Sequence, residues 1–444
     1  MAGTFRDQIL RVGKASASFA DLDSDGLPDT SGVTFYGLAA IFDAGKISGL
    51  TRNFNDADHV RQGLGASLKS PEGFLNATGG AAFESANGTF IGEEFGDLAV
   101  THRLRNVGTG GSFASTAFDA LMTSTWEKLT PSAVSTAVSA AGANAGVFDV
   151  GTGDGSEFTE GAVIACVINN RIEYAVVTDI STDTIKVNPY FSRALDSGDT
   201  VIHCVCYYPK LGAPTARDVF VTFDAGGPST AANIRRIAAG CRLAGNSLTF
   251  DGETAIMGHT IRPAVVLPDD TNASVAQASE FGGAACQFVG SYTVVGGDHN
   301  GTSAPVTTAR TALSMYGWSA EMAFGVQPSV PSQSVLTRTT DFEITNATCR
   351  VTLTGTYAST LRNLLRLEEQ RTIVLGMGPA AAGQGAALVL TSASAADGAT
   401  QVRGGDGDRV EMEMIVEATD WNGVSNTTAL AGAPFILAFP MPAS

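Results

Sequence analysis

The sequence predicts a mainly β protein: two tandem β-sandwich domains, each with a short flanking helix, plus a small inserted β-barrel or sandwich module. Three observations carry this expectation. Glycine is abundant, at 51 of 444 residues, and Thr, Ser and Ala are frequent, which suits strands joined by many turns. Apolar and polar residues alternate over many short stretches, the period of a half-buried strand. One strand–turn–helix unit also occurs twice.

The repeat is the most informative element. Gly111-Ser112-Phe113-Ala114-Ser115-Thr116 returns as Gly355-Thr356-Tyr357-Ala358-Ser359-Thr360. Gly111, Phe113 and Thr116 in the first copy correspond to Gly355, Tyr357 and Thr360 in the second. An alternating strand precedes each, at Leu98–Arg105 and at Cys349–Thr354. A short amphipathic helix is expected after each. The first places Phe118, Leu121, Met122 and Trp126 on one stripe, and the second places Leu361, Leu364 and Leu365 likewise. The Ser or Thr ahead of each helix suits an N-cap, whose hydroxyl accepts from unpaired backbone N–H groups.

Between the copies, residues 146–211 read as consecutive short strands. Ala162–Ile168 and Arg171–Val177 flank Asn169-Asn170, a pair able to take the left-handed backbone of a tight hairpin. Thr184–Val187 and Thr200–Tyr207 come next. The resulting division is 1–145 for the first part of domain one, 146–211 for the inserted module, 212–295 for the rest of domain one, and 296–444 for domain two. A Gly/Ala/Pro/Thr-rich stretch near 268–310 reads as the connection.

Motifs that could carry chemistry are few. Asp21, Asp23, Asp25 and Asp29 lie in a D-x-D-x-D-G run, the start of a calcium loop, in which alternate carboxylates converge on a hard cation. Position twelve is Gly32 in place of the bidentate Glu, and Pro28 breaks the helix that normally follows, so a solvated acidic turn is the competing reading. Gly376-Met377-Gly378 follows a strand but precedes more glycines and another strand, so it reads as a hairpin turn and not a dinucleotide site. Gly151–Gly155 lacks the P-loop lysine. His203-Cys204-Val205-Cys206 would split its ligands between two strand faces. The five histidines and the paired acids show no catalytic spacing, so neither an enzyme nor a cofactor is expected.

Net charge is −17, which argues against tight binding of nucleic acid through phosphate contacts. No apolar stretch reaches the ~18 residues of a membrane span, and the start MAGTFRDQIL has no leader-like core. Six scattered cysteines are expected to be reduced and buried, as in a protein made in the cytoplasm.

In the order of its elements the chain resembles phage tail tube proteins of the duplicated kind, similar to that of T5-like phages. The features that carry the likeness are the strand–Gly-Ser/Thr-x-Ala-Ser-Thr–helix units, the segment Ala239–Glu253 with its following strand, and the closing order. That order is helix, strand, Gly-rich loop, strand, the acidic loop Gly404–Asp408, and the strand at 411–417. The inserted module is a departure. The resemblance implies a structural subunit of a virion, made in the host bacterial cytoplasm. A long hairpin from each domain, in the first copy near 56–105, would join neighbours into a closed inner barrel. Trimeric or hexameric rings would stack head to tail, with tape measure and tail terminator proteins as partners, and phage DNA would pass without specific binding. Two other readings stay open: another virion component (capsid, decoration or baseplate), and a carbohydrate-binding adhesin.

Overall fold

A computed structural model describes residues 9–14, 34–38, 98–108, 111–209, 219–225, 234–250, 253–262, 265–270, 286, 292–298, 310–328, 342–356, 371–378, 383–395, 401–404, 410–418, 430 and 432–442. Strand succeeds strand through these segments. The first half contains β1 (Ile9–Lys14), β2 (Thr34–Leu38), β3 (Leu98–Arg103), helix α1 (Ala117–Met122) and β4 (Trp126–Leu129). Next come β5 (Ser135–Ala141), β6 (Val147–Val150), β7 (Val163–Ile168), β8 (Arg171–Ser181), β9 (Thr184–Asn188) and β10 (Thr200–Pro209). After these are β11 (Val219–Ala225), β12 (Ile234–Ala239), β13 (Arg242–Phe250), β14 (Ala255–Arg262) and β15 (Val265–Asp270). The rest is β16 (Tyr292–Asp298), β17 (Thr311–Leu313), β18 (Met315–Pro328), β19 (Phe342–Thr356), β20 (Arg371–Met377), β21 (Ala386–Ala395), β22 (Gln401–Gly404), β23 (Val410–Ala418) and β24 (Phe435–Pro440). The protein is mainly β, and its described residues are rich in sandwich packing.

Four antiparallel assemblies result. Sheet I runs β3-β14-β13-β18-β19-β23-β22. Sheet II runs β4-β10-β24-β21-β20-β16-β17. A small sheet runs β2-β1-β11-β12-β15, and α1 packs against its β1 and β2. The fourth assembly closes on itself: β5-β6-β9-β8-β7-β10 and back to β5, a six-stranded barrel. Its first strand, at 135–141, lies ahead of residue 146, and its last is only the Thr200–Ile202 end of β10 with His203. Closure leaves the barrel without free edges.

Two apolar layers hold the assemblies together. Sheets I and II face each other across one core that includes Leu248, Met257, Val351, Leu388, Phe435 and Phe439. The other face of sheet II meets the barrel through Val374, Val389 and Ile436 against Val163, Tyr174 and Cys204. Sheet II is therefore buried on both sides, and its strands are continuous apolar runs, as in FILAFP of β24. Strand β10 alternates between the layers, with Val205 and Tyr207 in one and Cys204 and Cys206 in the other. A third core fills the barrel with Phe148, Phe158, Ile185 and Val201.

Helix α1 is shorter than its sequence stripe suggested, because Trp126 begins β4 and is not part of the helix. Thr123 caps the end by donating from Oγ1 to Asp119 O at 2.7 Å, and Ser124 and Thr125 tighten the chain into i→i−3 turns. Hydroxyl side chains compete with helical backbone bonds in this way. At Asn169 and Asn170 the φ values are 50° and 58°, the left-handed pair expected for the β7–β8 hairpin.

The barrel belongs to the first half in sequence but is anchored to the second by polar clamps. Asn188 Nδ2 donates to Gly297 O and Thr372 Oγ1, and its Oδ1 accepts from Gly297 N–H. Glu173, 3% exposed, accepts from Arg310 at 3.1 and 3.4 Å and from Ser192 N–H at 2.8 Å. Arg310→Met would leave a buried carboxylate without its counter-charge, at an expected cost of about 3 kcal/mol in chemical denaturation. Adding Glu173→Gln to that variant should recover most of the loss.

Candidate assembly surface

In the first half the repeated motif builds an anchor. In the first copy, Thr116 is the N-cap of α1: its Oγ1 accepts from Asp119 N–H at 3.1 Å and donates to Phe113 O at 2.9 Å. Phe113 is buried against Phe439, Tyr207 and Phe118, with ring centroids 5.0, 6.2 and 6.4 Å away. Asp119 ties α1 to sheet II by accepting from Lys128 Nζ and Tyr207 Oη, both at 2.7 Å. Burial raises the Tyr207 hydroxyl well above its usual range, so it remains a donor. Gly111 and Gly355 each stand against backbone, Gly111 against Val107 of its own turn and Gly355 against Ser314 ahead of the paired strand β18. A Cβ on Gly111 would stand 2.3 Å from Val107 O, and one on Gly355 would stand 2.5 Å from Ser314 O. Tyr357, Thr360 and the second helix lie outside the described residues, as do Asp21, Asp23, Asp25, Asp29 and most of the 56–105 hairpin. No group of three or more His, Cys, Asp or Glu side chains suited to a metal gathers among the described residues.

The strands around each motif recur as well. Strand β3 leads into the motif, then β4, and it pairs with β14; β4 pairs with β10, and β13 forms a hairpin with β14. In the second half β19 leads into the motif, then β20, and it pairs with β23; β20 pairs with β21, and β22 forms a hairpin with β23. The sequences joining the paired strands share an Asp-Gly-acid triplet, Asp251-Gly252-Glu253 and Asp406-Gly407-Asp408. Element order and pairing partners are therefore duplicated, with the barrel and β11–β12 as additions to the first copy.

The two sets stand in sheet I in the same direction, β3-β14-β13 and then β19-β23-β22, with β18 between them. Strand β18 joins the halves by pairing with β13 in the register Gly245↔Ala323, Asn246↔Met322, Ser247↔Glu321 and Leu248↔Ala320. Its other side forms the long β18–β19 hairpin, Met315↔Gly355 to Pro328↔Phe342. One unbroken row thus crosses six strands: Thr101, Gly258, Ser247, Glu321, Arg350 and, by register, Glu417. This row lies on the face away from the core, which carries mostly small and hydroxyl-bearing side chains. Glu321 and Arg350 are exposed and directly opposite, an arrangement that favours a cross-strand pair.

Neither a search of protein-family models nor one of curated proteins found a match to this chain. The capabilities of the chain are therefore read from its own geometry. Among the described residues no strand pairs with the outer side of β22, although the end of β21 occupies the same side of β23 at Ser394↔Glu417 and Ala395↔Val416, and none pairs with the side of β3 away from β14. In the repeat, the outer side of β22 corresponds to the side of β13 that receives β18. Sequence reasoning identified the motif but missed this joint, because strands β13 and β18 are far apart in the chain.

Thr116→Ala should cost about 1 kcal/mol, the usual worth of an N-cap, in thermal or chemical unfolding. Gly355→Ala should cost about 1–3 kcal/mol, because backbone must move to admit the methyl group.

Proposed function

We propose that this chain is the subunit of a phage tail tube: copies add edge to edge through sheet I to close a ring, and rings stack into a tube that encloses a channel for genome delivery. The observation that carries the proposal is the β13–β18 joint. There, within one chain, one repeat adds to the next, head to tail, by strand pairing. Such a contact uses different surfaces on its two sides, so it can repeat around a ring until the ring closes. Among the described residues the first repeat supplies three strands to the sheet and the second four, counting β18. Unpaired sheet edges are costly to leave exposed and readily take another strand.

Three chains would contribute six such units to a ring. The polar face of sheet I, with its opposed Glu321 and Arg350, would line the channel, and the net charge of −17 disfavours retention of DNA there. Tape measure and terminator proteins would meet the tube at its interior and its end.

Negative-stain microscopy of the purified protein is expected to show rings or stacked tubes, and a monomer at every concentration would overturn the proposal. Icosahedral shells or isolated oligomers would instead indicate another virion component. A finer test uses β22, where successive residues direct their N–H groups to opposite sides. Of Val402→Pro and Arg403→Pro, the one whose N–H points away from β23 should abolish rings while preserving the circular dichroism of the folded chain. Rings that survive both substitutions would show that this edge is not the joint.

A further inference from the structure

A buried hydrogen-bond chain crosses the first half at the strand that joins the halves. Trp126 Nε1–H donates to Asn246 Oδ1 at 3.1 Å. That fixes the Asn246 amide, so Nδ2 faces His259 Nδ1 at 2.6 Å and must donate to it. His259 therefore holds its proton on Nε2 and donates to His102 Nε2 at 2.7 Å. His102 in turn holds its proton on Nδ1 and donates to Arg103 O at 2.9 Å. The chain starts at an indole, which can only donate, and ends at a carbonyl, which can only accept. One arrangement of protons satisfies it, and both imidazoles are neutral in that arrangement. The rings are nearly parallel, at 11°, with centroids 4.9 Å apart. With Nε2 atoms at 2.7 Å, that separation is an edge-to-edge meeting across one N–H···N bond and not a face stack.

All four side chains are buried, at 2–5% exposure. Among the described residues, no anion acts on either ring. Helix α1 presents Phe118 to both rings, at 5.9 and 6.4 Å. Strand β4 brings Trp126 and β13 brings Asn246. The charged group that acts on His102 is Arg105, a cation, and Asp119 on α1 is engaged by Lys128 and Tyr207.

We propose that this chain is an acid-opened latch: a second proton on either imidazole sets donor against donor and releases β13, β14 and β3 from one another and from β4. Because Asn246 stands opposite Met322 in the β13–β18 joint, release at β13 loosens the tie between the halves. The inference concerns the folding of a single chain and does not rest on the tube proposal. Burial supports the direction, holding His102 down at about 4 and His259 well below its usual value. An unfolded chain protonates both near ~6.5, while in the folded chain His102 resists until about pH 4 and burial holds His259 well below its usual value. The unfolded state thus binds more protons in that window. Stability present above ~6.5 is lost as pH falls through it, by up to about tenfold in the unfolding constant per group per pH unit.

The test begins with the native protein carrying ¹⁵N-histidine. Imidazole NMR at pH 6 should find His102 neutral with Nδ1–H and His259 neutral with Nε2–H. A charged ring, or the opposite tautomers, would overturn the proposal. Asn246→Asp then supplies an acceptor to His259 Nδ1 and keeps an oxygen for Trp126. His259 should become charged near neutral pH, and the fall of stability between pH 6.5 and 4 should flatten by about tenfold per pH unit in the unfolding constant. An unchanged pH slope in a folded Asn246→Asp protein would also overturn it.

Discussion

The architecture depends on continuous backbone pairing through sheet I. Where β13 meets β18, the amide and carbonyl groups of one repeat are satisfied by the other, and six strands share one register from Thr101 to Glu417. Pairing at that joint sets strands of both halves over a common core, so the sandwich is shared by both halves. At the joint one half meets the other through backbone groups, where side-chain differences between the repeats matter little.

Sheet II supports this arrangement in a different way. Both of its faces are dry, against sheet I on one side and the barrel on the other, and its strands supply side chains to both cores alternately. Strand β10 is the hinge between the two, leaving the barrel at His203 and entering sheet II at Cys204. The barrel closes its own edges and reaches across to the second half through Asn188 and Glu173. An insertion in one repeat therefore acts as a brace on the other.

Polar groups inside such a brace are costly unless each has its partner, and here they are paired in ways that specify geometry. Glu173 meets Arg310, Asp119 meets Lys128 and Tyr207, and the Trp126–Asn246–His259–His102 chain allows a single proton arrangement. The last of these ties β4 of sheet II to three neighbouring strands of sheet I, so the joint between halves is backed by a polar rod through the core.

The sequence by itself determined what is local. Strand periodicity, the Asn169-Asn170 hairpin, the Thr116 cap and the duplicated Gly-x-x-Ala-Ser-Thr motif were all legible, because each depends on residues a few positions apart. Helix length was not, because Thr123–Thr125 end α1 through hydroxyl competition that an apolar stripe conceals. Only the tertiary structure decided which edges meet. Residues 245 and 323 lie opposite each other at the joint, and nothing local to either one encodes the pairing. The same holds for the barrel's closure through β5 and β10 and for the meeting of His102 with His259, 157 positions apart. Such contacts arise from the packing of whole sheets, where burial of many side chains at once selects one register among several that local sequence would allow.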